Sequence, residues 1–323
     1  MSSGTALRIL LSDTARGQMG ARLAELLGER PHVLVRPGAP GADADIAFVS
    51  RDVTGLSTKH VVLPDTQLFY DALRHAPSLR WVHVHSAGAD RPIFLELMAR
   101  GVQVTNSAGA NASVVVQTAL AGLLALARRF PQLMAAQRSH AWAPLIGTGL
   151  PRDLAGQTAV VVGWGAIGQG LGAVLMALGL QVVVVRGSAT PAAGCQATVT
   201  FEALPTVLPR ADWLLLACPL SERTRGLVDA AALAAMPGGA HLVNVARGEV
   251  VDEPALVAAL QSGRLAGAYL DVFAHEPLPA DSRLWDLPNV IVTPHSAGFS
   301  DANAARVEQM FMNHLVRWLA QAP

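Results

Sequence analysis

The sequence predicts an α/β protein of two domains built around parallel β-sheets. Short β-rich runs alternate with helical patterns along the chain, as in folds whose parallel strands are joined by crossover helices. The runs of the second half are almost entirely apolar and lack a period of two, which is typical of strands buried on both faces. A length of 323 residues with 51% hydrophobic side chains suffices for about two domains with large cores.

The first third of the chain contains five short β-rich runs. Helical patterns over 17–27 and 69–75 separate several of them. The five predicted strands cover 8–11, 33–35, 46–49, 81–85 and 102–105.

A long helix is predicted over 113–138. The stretch 107–127 carries no charged residue and is long enough to cross a bilayer. Gln117 and Thr118 lie in its first half, and nothing else in the chain is comparable. We therefore expect a buried helix that ends at Arg128-Arg129 rather than a membrane span.

A second alternating series follows an irregular stretch at 143–151. Its predicted strands cover 159–162, 181–185, 213–217, 241–245, 268–271 and 290–293. The last segment, 301–320, has the apolar spacing of an amphipathic helix.

The charge balance excludes several functions. The 24 basic and 24 acidic residues give a net charge of zero, so general nucleic-acid or membrane-surface binding has no electrostatic basis. Lys59 is the only lysine, which excludes a Walker A site and argues against Schiff-base chemistry. Anions must therefore be bound by arginines, backbone amides or helix N-termini.

The cysteines and the first residues indicate a cytoplasmic protein without a metal site. Cys195 and Cys218 lack CxxC spacing, which is typical of ordinary thiols in a reducing compartment. The apolar stretch at the N-terminus is too short for a signal peptide. His83 and His85 share a strand face, but no third ligand accompanies them, so we expect no metal there.

A glycine-rich motif follows a predicted strand and opens a helix that leads into the next strand. In this context the spacing of Gly163, Gly165 and Gly168 is typical of a dinucleotide-binding βαβ unit. The first glycine permits a tight turn, the second lets a pyrophosphate approach the backbone, and the third lets the helix pack on the strand. The amides of Ala166 and Ile167 would face the diphosphate at the positive helix end.

The end of the second strand of this unit predicts which dinucleotide binds. NAD-binding units place a carboxylate there, but no carboxylate occurs between Asp153 and Glu202. Arg186 stands at that position, where its guanidinium would pair with a 2′-phosphate, with Ser188 as a further donor. The sequence predicts a preference for NADP(H). The alternative is that Arg186 is a solvated charge and that NAD(H) is accepted as well.

An arginine, a carboxylate and a histidine follow predicted strands of the second half. Arg247, Glu276 and His295 should converge, because the carboxyl ends of parallel strands open onto the edge where ligands bind. An arginine clamps a carboxylate, a histidine exchanges a proton, and a carboxylate orients the imidazole and stabilises its protonated form.

Five motifs in register resemble those of the D-isomer-specific 2-hydroxyacid dehydrogenases. Weaker matches at Ser86-Ala87-Gly88-Ala-Asp90 and 106–112 extend the resemblance over nearly the whole chain. The five motifs are Gly163-x-Gly-x-x-Gly168, Cys218-Pro219-Leu-Ser-Glu-Arg-Thr224, Asn244-Val245-Ala246-Arg247-Gly, Leu270-Asp271-Val-Phe-x-x-Glu276-Pro and Pro294-His295.

The resemblance implies a particular domain organisation. A Rossmann dinucleotide-binding domain, 103–295, would be inserted into a flavodoxin-like substrate domain, 1–102 and 296–323. It also implies a homodimer built around the helix at 113–138.

The resemblance also implies residue roles. His295 would protonate the carbonyl oxygen as hydride arrives from the nicotinamide, and Glu276 would orient His295. Arg247 would bind the 2-oxo acid, whose carboxylate would meet the backbone of Ala87 and Gly88 beside Ser86. The implied cofactor-binding residues are Gly163, Gly165, Ala166, Ile167, Gly168, Arg186, Ser188, Cys218, Pro219, Thr224, Val245, Ala246, Asp271 and Gly298, with Asp271 on the nicotinamide carboxamide.

The resemblance implies an NAD(P)-dependent reductase of a small 2-oxo acid, with glyoxylate or hydroxypyruvate favoured. Gln117-Thr118 departs from the Glu-His that the family often has, which affects helix packing or the dimer interface. A phosphoglycerate dehydrogenase is less favoured, because the chain ends at Pro323 without a regulatory extension. A formate dehydrogenase is also less favoured, because formate dehydrogenases typically carry Gln where Glu276 stands. A dinucleotide-sensing corepressor is a further alternative, which the intact arginine, glutamate and histidine set disfavours.

Overall fold

The computed structural model describes residues 6–39, 43–147 and 149–321, which form two compact units. Unit 1 comprises Met1–Asn111 and Ser300–Pro323, and unit 2 comprises Ala112–Phe299. The unit boundaries at 111/112 and 299/300 compare with the domain boundaries of 102/103 and 295/296 expected from the sequence.

The described residues contain twelve strands and eleven α-helices. The strands are β1 Leu7–Leu10, β2 His32–Val35, β3 Ile46–Val49, β4 Trp81–Val84, β5 Gln103–Asn106, β6 Thr158–Val162, β7 Gln181–Arg186, β8 Ala197–Thr200, β9 Trp213–Leu216, β10 Ala240–Asn244, β11 Leu265–Leu270 and β12 Val290–Val292. The helices are α1 Asp13–Leu27, α2 Arg51–Thr54, α3 Pro64–Arg74, α4 Pro92–Ala99, α5 Ala112–Ala127, α6 Phe130–Arg138, α7 Ala166–Ala177, α8 Leu204–Val207, α9 Ala230–Ala235, α10 Glu253–Gln261 and α11 Asn303–Gln321.

Unit 1 has a five-stranded parallel sheet in the order β2-β1-β3-β4-β5. This is the flavodoxin-like order, and all five strands predicted in the first third are confirmed to within one or two residues. The C-terminal helix α11 returns to this sheet, where the ring of Phe311 stacks on Phe48 at 4.7 Å and on Trp81 at 5.5 Å. The apolar face of the predicted amphipathic helix therefore completes the core of unit 1.

Unit 2 has a seven-stranded parallel sheet in the order β12-β11-β10-β9-β6-β7-β8. From β8 to β11 this is the Rossmann order, with β12 added beyond it. The predicted α/β fold class is thus confirmed. Six of the seven strands were expected, and β8 was missed because its four residues lie at the sheet edge and are only half-buried.

The prediction of one long helix over 113–138 is wrong, whereas the expected helix end at Arg128-Arg129 agrees with α5, which ends at Ala127. The region forms α5 and α6, which meet at a bend of 71°. Arg129 adopts a left-handed conformation with φ 56°, and Pro131 has no N–H to donate to the carbonyl of Ala127. These two residues end α5 and start a new helix.

Among the residues that the structure describes, no single helix is both long and apolar enough to cross a bilayer. The bent pair of α5 and α6 together passes that test of length and composition. Within unit 2, Ala119 and Leu123 of α5 are fully buried in the core.

A close approach of α5 to β11 orders the edge of the unit 2 sheet. A Cβ on Gly122 would lie 2.3 Å from the ring of Tyr269, so only glycine lets the helix sit this near the strand. The hydroxyl of Tyr269 is 2.7 Å from Oγ1 of Thr293, just after β12. The packing of α5 thereby reaches the carboxyl ends of the strands.

Candidate active site

Three loops at the carboxyl ends of neighbouring strands carry the predicted catalytic side chains. Arg247 follows β10, Glu276 lies in the loop after β11, and His295 follows β12. Since β10, β11 and β12 are adjacent in the sheet, the three loops lie side by side at one edge.

His295 and Glu276 form a close pair. Nδ1 of His295 is 2.8 Å from Oε2 of Glu276, whose Oε1 accepts a hydrogen bond from the amide of Phe273 at 3.2 Å. The glutamate side chain is 14% exposed and the imidazole 49%. Because an anionic carboxylate accepts the Nδ1 proton, Nε2 is the nitrogen left to exchange protons with a ligand.

The backbone of His295 is held in an uncommon conformation. Its φ of 50° lies in the left-handed region, which non-glycine residues rarely adopt. The amide of His295 donates to the carbonyl oxygens of Asp271 at 2.8 Å and Thr293 at 3.0 Å. These bonds stabilise a turn that presents the imidazole toward solvent.

The buried carboxylate of Asp271 accepts several hydrogen bonds from the loop that carries His295. Its Oδ1 accepts hydrogen bonds from Oγ1 of Thr293 at 2.6 Å and from the amides of Ser296 and Ala297 at 2.8 and 3.0 Å. The residue is 3% exposed. Its predicted contact with a nicotinamide stays a prediction, and the structure adds a second task, which is to fix the loop that carries His295.

Arg247 stands on a loop that is locked to its neighbour. The buried side chain of Asn244 accepts from the amide of Ala246 at 3.0 Å and donates to the carbonyl of Arg247 at 3.1 Å. A Cβ on Gly248 would lie 1.8 Å from the carbonyl carbon of Phe273, so this loop touches the loop of Glu276 backbone to backbone. Arg247 is half-buried, its Nη1 donates to the carbonyl of Ala246 at 2.7 Å, and its loop lies against the loop that carries Glu276.

The glycine-rich turn has the geometry that its spacing predicts. Gly163 has φ 97°, and a Cβ there would lie 2.6 Å from the backbone of Ala217 and Cys218. A Cβ on Gly168 would lie 2.0 Å from the carbonyl oxygen of Gly163, so the helix packs directly on the turn. A Cβ on Gly165 would meet nothing within 4 Å, which leaves this side of the backbone open to a ligand.

The start of α7 presents unpaired amides beside that opening. Gly165 is the N-cap residue, and the amides of Ala166 and Ile167 occupy the first turn, where no preceding carbonyl of the helix can accept them. Such a helix end favours negatively charged groups such as a diphosphate. The predicted glycine and amide residues therefore lie together at one helix end.

Arg186 ends β7 and is partly buried. Its Nη2 donates to the carbonyl of Thr190 at 2.5 Å, while its Nε is buried without a hydrogen-bond partner. The hydroxyl of Ser188 is exposed and lies 3.3 Å from that of Thr190. A buried guanidinium nitrogen without an acceptor is uncommon, and an anionic ligand would supply one.

The loop after β9 is closed by its own hydrogen bonds. The buried hydroxyl of Thr224 donates to the carbonyl of Pro219 at 2.7 Å and accepts from the amide of Ser221 at 2.8 Å. Burial raises the pKa of the Cys218 thiol to about 11, so the thiol stays neutral at physiological pH. Thr224 thus shapes the loop, while Cys218 and Pro219 line its start.

The remaining predicted residues fall in two places. Val245 and Ala246 are buried at the end of β10, and Gly298 is half-buried near the end of unit 2. Ser86, Ala87 and Gly88 belong to unit 1, in the loop after β4, where the hydroxyl of Ser86 donates to the carbonyl of Gly88 at 2.6 Å. Their role toward a substrate carboxylate stays a prediction.

His83 in β4 and His85, which directly follows β4, both lie within hydrogen-bond distance of hydroxyl groups. His83 uses both ring nitrogens, toward Thr105 at 2.8 Å and Ser107 at 3.1 Å, and His85 is 2.8 Å from Oγ1 of Thr54. Burial lowers the pKa of both imidazoles to about 3. No group of three or more potential ligand side chains that could hold a metal occurs within 6–39, 43–147 and 149–321.

Three residues order the site through contacts that the sequence did not reveal. Thr293 links Tyr269 to Asp271, and Gly248 allows two loops to touch. Thr118, which stands in the departure from the family pattern, donates to the carbonyls of Val114 and Ala297, both at 3.1 Å. Thr118 and Gly248 belong to motifs found in the sequence, but only the structure shows which groups they contact.

A family model matches residues 120–297, more than half of the chain. Its description is "D-isomer specific 2-hydroxyacid dehydrogenase, NAD binding domain". The chain belongs to this family. The matched segment includes the glycine turn and all three loops that carry Arg247, Glu276 and His295.

Relatives and solved structures agree with this membership. The glyoxylate reductase of Korarchaeum cryptofilum is 34% identical over 245 residues, which cover 75% of this chain and 73% of the relative. The structure of an NADPH-dependent glyoxylate/hydroxypyruvate reductase from Sinorhizobium meliloti, in complex with NADP and malonate, has a TM-score of 0.74 and 30% identity. That alignment covers 98% of this chain and 94% of the other.

A longer relative is also similar. The D-3-phosphoglycerate dehydrogenase of Mycobacterium leprae is 38% identical over 234 residues, or 72% of this chain. The match spans only 44% of the length of that enzyme.

Replacing Gly248 by alanine should destabilise unit 2 by about 1–3 kcal/mol, since the new Cβ forces two packed backbones apart. Gly238→Ala is the matched control, because its Cβ would meet only the Nη1 of Arg264, at 4.0 Å, and should shift stability by less than about 0.5 kcal/mol. Equilibrium urea unfolding measures both. Equal effects of the two variants would show that the loops do not touch as described.

Proposed function

We propose that this protein is an NADPH-preferring reductase that converts a small 2-oxo acid, glyoxylate or hydroxypyruvate, to the 2-hydroxy acid. The observation that carries this proposal is the 2.8 Å pair of His295 and Glu276, set beside Arg247 at the carboxyl edge of the unit 2 sheet. The glyoxylate reductase relatives support the choice of substrate class.

The residues present fit a nicotinamide dinucleotide. The glycine turn leaves open space at Gly165, the first turn of α7 offers its amides, and the Nε of Arg186 is buried without an acceptor. When bound, the reduced nicotinamide supplies the hydride. Gly163, Gly165, Ala166 and Ile167 would hold the diphosphate, and the loops of Cys218, Val245 and Asp271 would surround the rest.

His295 is the proton donor of the proposed reaction. Reduction of a carbonyl adds a hydride to carbon and a proton to oxygen, and Nε2 of the protonated imidazole supplies that proton. Glu276 keeps its charge throughout, holding Nδ1–H and stabilising the imidazolium before transfer. Oxidation of the hydroxy acid uses the same groups in reverse, with neutral His295 as the base.

Arg247 binds the acid group of the proposed substrate and polarises its carbonyl. A guanidinium presents paired donors that match a carboxylate. The loop contacts at Gly248 and Asn244 fix the position from which Arg247 reaches the ligand.

Replacing His295 by alanine should lower kcat for 2-oxo-acid reduction by about 10²–10⁴, because the proton must then come from water. Cofactor binding, followed by NADPH fluorescence, should stay unchanged. The control is His275→Ala, which removes an exposed imidazole from the loop of Glu276 and should keep normal turnover. Near-normal turnover of His295→Ala would overturn the assignment of the proton donor.

The NADPH preference rests on Arg186 and on the absence of a ribose-binding carboxylate between Asp153 and Glu202. With a panel of 2-oxo acids, kcat/KM for NADPH should exceed that for NADH by about tenfold or more, the effect of one or two charge-assisted hydrogen bonds. Equal values, or a preference for NADH, would contradict the cofactor assignment. No turnover across the panel would contradict the reductase itself.

Phosphoglycerate dehydrogenase activity is a second candidate, because the phosphoglycerate dehydrogenase relative is 38% identical over the matched residues. The panel should therefore include 3-phosphohydroxypyruvate. A kcat/KM for this compound above those for glyoxylate and hydroxypyruvate would favour the second candidate.

We also propose that the protein is a homodimer that uses α6. No residue of this helix is buried, and Phe130 and Met134 are 51% and 48% exposed. Light scattering after gel filtration should give twice the chain mass, and Met134→Glu should give a monomer. Leu95→Glu, at a 55% exposed position on α4, is the control that should remain a dimer. A monomeric wild type would contradict the proposal.

A further inference from the structure

We propose that Arg223 is a second guanidinium for the 2′-phosphate of NADP(H), acting from the loop after β9 across Gly187 from Arg186. This inference rests on the proposed NADPH preference and names a residue that the glycine and strand-end motifs do not identify.

Arg223 lies beside Gly187, the residue that follows Arg186. A Cβ built on Gly187 would lie 3.5 Å from Nη1 of Arg223, so that nitrogen lies next to the residue that follows Arg186. Gly187 and Ser188 are exposed to solvent. The end of β7 therefore carries Arg186 itself and has the guanidinium of Arg223, from the loop after β9, beside the next residue.

Contacts with Glu202 and Phe201 hold Arg223 in this position. Its Nη2 and Nε donate to Oε1 of Glu202 at 2.7 and 3.2 Å, and its guanidinium carbon lies 5.3 Å from the centroid of the Phe201 ring. Both anchors follow β8, the strand paired with β7. Nη1, the nitrogen nearest Gly187, takes no part in this ion pair and can donate to a ligand.

The ion pair of Glu202 and Arg223 is charged at neutral pH. Hydrogen bonds from its own backbone amide and from Arg223 lower the pKa of Glu202 to about 2, so the carboxylate is ionised at neutral pH. An exposed ion pair contributes little to stability by itself, which leaves orientation of Arg223 as its main effect. Glu202 also repels a phosphate nearby, so its charge limits the affinity that Arg223 provides.

Arg186 makes the complementary contribution. Its Nη2 is used by the carbonyl of Thr190, and its Nε is buried without a partner. A phosphate beside Gly187 would lie next to Nη1 of Arg223 and one residue along the chain from Arg186. Two guanidinium groups on a dianionic phosphate give stronger discrimination against NADH than either group alone.

The test compares binding of 2′,5′-ADP and 5′-AMP by calorimetry to the full-length protein, with no turnover required. Arg223→Gln should weaken 2′,5′-ADP about tenfold and leave 5′-AMP unchanged. Arg225→Gln is the matched control, since it removes the same charge from an exposed position two residues away and should change neither Kd. Glu202→Gln should tighten 2′,5′-ADP, because it removes the repelling charge and keeps a hydrogen-bond acceptor.

The possible failures are distinguishable. If Arg186→Gln weakens 2′,5′-ADP and Arg223→Gln acts like the Arg225 control, the inference is overturned while the cofactor preference stands. If the wild type binds 2′,5′-ADP no more tightly than 5′-AMP, the preference and the inference are both wrong. If Arg223→Gln weakens only 2′,5′-ADP while no 2-oxo acid is reduced, the inference stands and the reductase proposal falls. Thermal unfolding of each variant confirms that the exposed substitutions leave the fold intact.

Discussion

The buried carboxylate of Asp271 is the interaction on which the rest of the site depends. It lies directly after β11, the strand next to the edge strand β12, and accepts hydrogen bonds from Thr293, Ser296 and Ala297, which surround His295 in the chain. Burying a carboxylate is costly unless several donors surround it, so removal of these partners would leave an uncompensated charge. The need to satisfy Asp271 therefore folds the loop after β12 back over β11 and fixes where the imidazole stands.

Contacts of α5 and of the Arg247 loop also hold this arrangement in place. Gly122 lets α5 lie against Tyr269, whose hydroxyl meets Thr293, and Thr118 of the same helix binds the carbonyl of Ala297. Gly248 brings the Arg247 loop against the loop of Glu276. The neutral, lysine-poor chain thus concentrates its useful charge at strand ends, where backbone contacts set each side chain's position.

The alternation of strands and helices, the glycine turn and the grouping of Arg247, Glu276 and His295 could all be predicted from the sequence. They follow from periodicity, from spacing and from the rule that parallel strands end at a common edge. The break at Arg129 was missed in the prediction of one helix over 113–138, although Arg128-Arg129 ends the apolar run and Pro131 disfavours a continuous helix. The tasks of Thr118, Gly248 and Arg223 depend on contacts between segments far apart in sequence, which no local pattern contains.

In the proposed reaction His295, oriented by Glu276, faces the carbonyl oxygen of a 2-oxo acid whose carboxylate Arg247 holds. A crystal structure with NADPH and oxamate, an isostere that is not reduced, would show this arrangement. We expect Nε2 of His295 to lie within about 2.6–3.2 Å of the carbonyl oxygen of oxamate, with the guanidinium of Arg247 on its carboxylate. Oxamate bound away from these two side chains, or an imidazole turned from Glu276 in the complex, would contradict it.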